Sequence, residues 1–328
     1  MARTPIRELL ENDKNRVLVM DGGQGTELEN RGIDVSNRLW NTAPFLSDQF
    51  WSDGASRDRD IVKAVFRDFI AAGAEVLRTS TYQSSFRSIT ENTDIETLEE
   101  YNALMDRIIN FSRECIGEDR YLMGSVGPWG AYIAKEYDGD YGPEAATFDY
   151  YGFFKPVLES FNNNDNVDII GMVTIPNKHE LQAVLSFDET QLRKPYYVCL
   201  SVHDNGTLRD GTTMEEVAEI FRGAQDKLNP NFMFLGVNCV DMNNSTNILA
   251  SIHRLLPDIP LIMYPNSGER FDTETKKWMP KDNDTMSWDE ATKQYIELGA
   301  RVIGGCCRTK PEDVGAIAAA VAKYTPGE

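Results

Sequence analysis

Short apolar runs rich in β-branched residues recur about every 30–50 residues along this chain, at 17–20, 75–80, 121–126, 167–173, 196–202, 232–238, 260–264 and 301–304. Runs of this length and character read as strands buried on both faces. Between most of them lie stretches of helical period, at 60–72, 98–116, 213–227 and 288–298. Strands that alternate with helices fold as a parallel sheet, because a parallel neighbour is reached only through a crossover. Eight such units in 328 residues is the count of a closed barrel. The expected fold is therefore α/β, a single-domain (β/α)8 TIM barrel over residues 1–328. Thr213 followed by Glu216 predicts a capping box, and Ser287 is a candidate N-cap before Trp288.

The rival architecture is a doubly wound open sheet, which usually carries a GxGxxG turn after its first strand. Asp21-Gly22-Gly23-Gln24-Gly25 does follow the first run, but it is not that motif, and no matching acidic residue follows on a second strand. The dinucleotide-binding reading is poor.

No stretch approaches the roughly 18 apolar residues of a membrane span, and the charged N-terminus lacks the apolar core of a secretory signal. The expected location is the cytoplasm. A formal net charge of -19 argues against a general nucleic-acid binder, which needs a basic footprint. Five cysteines, at 115, 199, 239, 306 and 307, are odd in number and widely spaced. That argues against a disulfide framework and for reduced thiols that bind metal, do chemistry or pack in the core.

In a (β/α)8 barrel the C-terminal strand ends form the active face. Cys239 closes the sixth run, in GVNCV, and Cys306 and Cys307 close the eighth, in GGCCRT. Three thiolates there could hold Zn2+ and leave its fourth tetrahedral position open, as a catalytic site requires. Spacing alone leaves the other reading equally open, because free cysteines are often simply buried. Cys115, in a helical stretch, and Cys199, mid-strand, read as core. Asp21, past the first strand, either meets a ligand or only shapes a turn. Trp40, Tyr82 and Trp129 offer aromatic faces to a cation or pack in the core. Thr79 and Asn238 are polar candidates for the lining of the mouth. His179, His203 and His253 are scattered and read as structural or surface groups.

The motifs DGGQGTELENRG (21–32), TSTYQ (79–83), GPWG (127–130), TIPN (174–177), RDGTT (209–213), GVNC (236–239), YPNSGE (264–269) and GGCCRT (304–309), taken in order, resemble the homocysteine S-methyltransferases. The resemblance runs from about 16 to 324 and is nearest to fungal members that use S-methylmethionine or S-adenosylmethionine. It implies zinc on Cys239, Cys306 and Cys307, a thiol acceptor activated there, a sulfonium donor, and Asp21 holding the acceptor's ammonium group. No nucleic acid or membrane partner is implied.

Two positions depart from the family's pattern. Val173 stands where the family has a glutamate that helps bind the amino group of homocysteine. Losing one charged hydrogen bond costs roughly 1.5–3 kcal/mol, so Val173 is expected to redirect acceptor choice or to cripple the enzyme. Arg78 stands where fungal relatives carry an apolar residue, and the sequence names no partner for it. The rivals to sulfonium-dependent methyl transfer are a betaine-type donor, a zinc hydrolase, and a zinc-binding descendant that only binds thiols or a partner. The chain stops soon after the eighth unit, where betaine-type relatives carry a further segment. Hydrolase zinc sites are usually built from His, carboxylates and water, which this cysteine set does not match.

Overall fold

Each of the eight apolar runs is a strand in the computed structural model, which describes residues 3–52, 54–272, 277–281 and 285–325. The barrel strands are β1 (Leu18–Val19), β2 (Val76–Arg78), β3 (Tyr121–Val126), β4 (Ile169–Ile175), β5 (Tyr196–Leu200), β6 (Phe232–Asn238), β7 (Leu261–Tyr264) and, after a short antiparallel pair β8 (Arg270–Asp272) and β9 (Lys277–Met279), β10 (Ala300–Ile303). Parallel pairing runs β1-β10-β7-β6-β5-β4-β3-β2. A parallel bridge between Met20 and Val76 joins the two ends, with Asp21 N–H donating to Val76 O at 3.0 Å and Glu75 N–H to Val19 O at 2.8 Å. The barrel is closed, which removes its sheet edges.

The strands are apolar on both faces because two separate cores flank the sheet. Leu18, Val76, Met123, Tyr197, Ile262 and Val302 fill the barrel interior. Their chain neighbours Val19, Leu77, Leu122, Val198, Leu261 and Ile303 pack outward under the helices. Alternation of side chains along a strand sends successive residues to opposite cores.

Helices at Arg57–Ala71, Leu98–Ile116, Met214–Ala224 and Trp288–Glu297 occupy the four periodic stretches. The first starts before its apolar pattern does, because Ser56 caps Arg59 N–H ahead of the charged turn Arg57-Asp58-Arg59. Thr213 and Glu216 form the expected capping box, and Ser287 accepts from Glu290 N–H.

The end of the barrel where the strands begin is plugged. The helix Ile6–Asn12 inserts Ile6 and Leu10 into the inner core. Arg301 ties the segment down through Leu10 O, Asp13 O and Arg16 O, and Tyr121 Oη donates to Thr4 O at 2.7 Å. The other end, where the strands finish, is left as the mouth. Among the described residues no helix is long and apolar enough to cross a membrane.

Candidate active site

Two strand ends bring three cysteines to the mouth. Cys239 follows β6 with a φ of 54°, a left-handed conformation uncommon for a non-glycine residue and enriched at functional sites. Beyond β10, Cys306 N–H donates to Pro265 O at 2.8 Å and Cys307 N–H to Asn266 Oδ1 at 3.2 Å. The loop after β1 packs backbone to backbone on this segment. A Cβ on Gly23 would lie 2.7 Å from the Cys306 carbonyl oxygen, and one on Gly304 would lie 2.7 Å from Met20 Cβ. Only glycine permits so close an approach.

The sulfurs of Cys239, Cys306 and Cys307 all lie within 4.8 Å of one another. Three soft donors gathered without a carboxylate or histidine suit a tetrahedral thiophilic ion with one open position. Burial pushes the Cys307 thiol up to about 11, while the nearby Arg78 charge pulls the other way. Cys239 and Cys306 are joined as a disulfide, with Cα atoms 5.4 Å apart, and Cys307 is free. The expectation of reduced thiols throughout is corrected at this one pair. Their 67-residue separation hides a contact that exists because β6 and β10 both flank β7. A disulfide and a pair of thiolates are two redox states of the same sulfurs, and only the reduced one could ligate a metal. Cys199 is buried in the inner core and Cys115 packs on the outer one, as expected of core cysteines.

Beside the sulfurs stands an ion pair that the sequence conceals. Arg78, at the end of β2, donates from Nε to Asp21 Oδ1 at 2.6 Å and from its backbone N–H to Asp21 Oδ2 at 3.1 Å. Its Nη2 donates to the carbonyl oxygens of Asp21, Gly22 and Gly305. Its guanidinium lies 5.3 Å from the centre of the Tyr264 ring. Gln24 completes the cradle, donating to Asp21 Oδ2 at 2.7 Å and accepting from Ser80 Oγ at 3.0 Å. Asp21 is fully buried and faces Arg78, not open space. The partner missing for Arg78 is thus Asp21.

Val173 faces the barrel interior with Tyr197, Tyr264 and Cys306. Its neighbour Thr174 has a φ of 63° and is clamped by Asn238, which accepts from Thr174 N–H at 2.9 Å and donates to Thr174 Oγ1 at 2.8 Å. Asn238 Nδ2 also reaches Cys239 Sγ at 3.2 Å, so Asn238 does line the sulfur site. Thr79 does not: its hydroxyl is spent on Thr81 Oγ1 at 2.6 Å and Ser125 N–H at 3.0 Å, bracing β2 on β3.

The aromatic candidates separate. Tyr82 packs against the inner core on the side of Cys239 and Cys307, and its buried hydroxyl has no hydrogen-bond partner among the described residues. Trp40 meets Tyr82 edge to face, with ring centres 5.8 Å apart. Trp129 stacks on Phe148 at 4.1 Å within the outer core, as a packing residue. His203 is held by Arg209 through its backbone O at 3.1 Å, and no histidine joins the sulfurs.

Sequence reasoning missed the rim. Glu136 follows Ala134, a residue at φ 59°, and its carbonyl accepts from Ser201 Oγ at 2.9 Å. Burial pushes its carboxyl up to about 7, and its charge acts on Tyr82 and Tyr137. Arg209 lies 5.6 Å from the centre of the Tyr137 ring. No apolar periodicity marks this loop, and only its tertiary placement reveals it.

A family model described as homocysteine S-methyltransferase matches residues 18–321. The chain is 58% identical to homocysteine S-methyltransferase 2 of Saccharomyces cerevisiae, over 99% of this chain and 100% of that protein. The homocysteine methyltransferase MmuM of Escherichia coli, in a metallated form, superposes with a TM-score of 0.72 at 28% identity, covering 96% of this chain and 99% of the other. The same protein in an oxidised form gives 0.75, at 28% identity over 97% and 99%.

Proposed function

This chain belongs to the homocysteine S-methyltransferase family and is a methyltransferase, and from that premise we propose that it moves a methyl group from a sulfonium donor to a thiol held at the three-cysteine mouth. The observation that carries this reading is the trio of sulfurs within 4.8 Å, at the end of the barrel where such folds do chemistry. We take the ion to be Zn2+, held by Cys239, Cys306 and Cys307 in reduced form. Zinc there would supply the Lewis acidity that keeps an acceptor thiol deprotonated at neutral pH, where a free thiol of pKa near 8.5 is mostly protonated.

The chain's own residues do the rest. Asn238 orients Cys239 by donating to its sulfur while fixing the end of β4. The acceptor's sulfur lone pair forms the new S–CH3 bond. The C–S bond of the donor breaks with its electron pair on the donor sulfur, which leaves as a neutral sulfide. No proton is needed on that leaving group. Tyr82, with Trp40 edge-on to it, and the Glu136 carboxylate at the rim suit a cationic donor. S-methylmethionine and S-adenosylmethionine share that sulfonium charge. A betaine-type donor, whose charge sits on nitrogen, is an outcome the assay distinguishes. Val173 gives the floor below an apolar wall where an amino group would need an acceptor, and it shifts acceptor choice. The expected setting is the cytoplasm, whose reducing poise would keep the thiols available.

The test is methyl transfer by reduced, zinc-loaded protein from S-methylmethionine, S-adenosylmethionine and betaine to a thiol panel that includes L-homocysteine. Turnover of any thiol with a sulfonium donor supports the reading. Zinc bound with no thiol methylated from any donor overturns it in favour of a protein that only binds thiols or a partner.

A further inference from the structure

Beside the sulfurs stands the Arg78–Asp21 ion pair, and its two members are not equally available. Asp21 is 0% exposed, and its two oxygens already receive three hydrogen bonds, from Arg78 Nε, Arg78 N–H and Gln24 Nε2. It has no accessible edge with which to hold a substrate cation. Arg78 is 13% exposed in its side chain. Its Nε and Nη2 are spent on Asp21 and three carbonyl groups, while Nη1 donates to no acceptor among the described residues. Because a guanidinium cannot deprotonate in a protein, that nitrogen is a permanent cationic donor of two N–H bonds.

The position of this donor matters. Arg78 Nη2 binds Gly305 O at 2.9 Å, and Gly305 directly precedes Cys306. The guanidinium therefore stands beside the loop that carries Cys306 and Cys307, and its charge acts on the Cys307 thiol. The inner wall beside it carries Val173, Tyr197 and Tyr264, all buried. Glu136 acts from the rim loop, on Tyr82 and Tyr137.

We propose that Arg78 is the specificity-determining residue of the acceptor pocket, and that it selects a thiol carrying a carboxylate a few carbons from sulfur over one carrying an ammonium there. The inference rests on the thiol-methylation reading above and names its substrate class. A carboxylate meets the free guanidinium edge in a charge-assisted hydrogen bond. An ammonium in the same place meets a like charge.

The experiment compares three probes of similar length on the reduced, zinc-loaded enzyme, with S-methylmethionine and S-adenosylmethionine offered in turn. They are 4-mercaptobutanoate, 3-aminopropane-1-thiol and uncharged butane-1-thiol. The expected order of kcat/KM is carboxylate first by tenfold or more over the aminothiol, with calorimetric Kd values in the same order. Arg78→Met, or Arg78→Met with Asp21→Asn should the lone buried carboxylate prevent folding, is expected to collapse that preference to less than threefold. An aminothiol preferred over the thiol acid, or a carboxylate preference that survives loss of Arg78, overturns the inference and leaves methyl transfer standing. Failure to methylate any probe or homocysteine overturns the parent reading as well, so the two failures are distinguishable.

Discussion

The barrel carries a buried arginine–aspartate pair at each end, and the two are built for opposite purposes. At the plugged end Asp168 accepts from Arg113 Nη2 at 2.6 Å, from Arg3 Nε at 2.7 Å and from Leu122 N–H at 2.7 Å. Arg113 also caps the carbonyls of Gly117, Arg120 and Asn166, so the network joins a helix, two strands and the N-terminal segment. At the mouth Arg78 and Asp21 leave one guanidinium nitrogen uncommitted and bind the loop that leads into Cys306 and Cys307. All five described non-glycine residues with positive φ, namely Trp40, Ala134, Thr174, Cys239 and Arg308, lie in strand-end or following segments on this side. Strain of this kind costs of order 1–3 kcal/mol per residue. Such strain persists where the local surroundings over-determine it, as the Asn238 clamp does at Thr174.

The sharpest way to break this comparison is at the sulfurs. Cys306→Ser should lower methyl transfer on the order of a thousandfold, since it removes both thiol activation and acceptor positioning. Stability to urea should stay close to that of the reduced parent. Metal content by elemental analysis should fall in parallel. A variant that keeps its metal and its rate would show that the trio is only packing.

At the opposite end the signature should invert. Asp168→Ala leaves two arginines without their shared carboxylate, and breaking a buried pair in this way costs about 3–5 kcal/mol. The expectation is a urea midpoint shifted well down while the rate per folded molecule is unchanged. A loss of rate without a loss of stability would erase the distinction between the two ends.

The mouth should also carry pH-dependent stability through Glu180. This carboxyl is buried and raised to about 7 by desolvation, although Trp129 N–H and the Tyr141 hydroxyl both donate to it. A carboxyl raised above its unfolded value favours the folded state most below about pH 4.5, and that advantage is lost as pH rises through about 7. Glu180→Gln keeps an acceptor for Trp129 and does not titrate. The stability difference between parent and variant should therefore fall by roughly 3 kcal/mol from pH 4.5 to pH 8. A flat difference across that range would mean that the carboxyl is ionised throughout.

How much of this was legible in the sequence depended on whether a residue's role was local or relational. The strands were legible because a closed barrel buries both faces, which turns every strand into a short continuous apolar run. The cysteines were legible because strand ends define the mouth. Asn238 was visible as a polar strand-end residue, but its clamp on Thr174 of β4, 64 positions away, was not. Arg78 was visible as an anomaly without a partner, because Asp21 reaches it only through the contact that closes β1 onto β2. The bridge between Cys239 and Cys306 and the rim loop at Glu136 depend in the same way on which strands become neighbours. Thr79 and Trp129 matched family motifs and sit near the mouth in sequence terms, yet their polar or aromatic groups are turned to bracing and packing.

The smallest effect is the most discriminating one, because it adds a group to the mouth without dismantling anything. Val173→Glu would place a carboxylate on the inner wall of β4, facing the same interior as Arg78 and the sulfurs. Burying a new carboxylate is costly unless it is paired, and the unspent guanidinium edge of Arg78 or an acceptor's ammonium could pair it. Either pairing removes the advantage of a thiol acid, and the second creates one for an amino thiol. The expectation is a gain of about tenfold in kcat/KM for L-homocysteine, worth about 1.4 kcal/mol, with a matching loss for 4-mercaptobutanoate. An equal loss for both acceptors would mean that the new carboxylate is absorbed by Arg78 and the floor is simply blocked. No change for either would place the acceptor's polar end away from β4, and Val173 would then be ordinary core, like its counterparts at the plugged end.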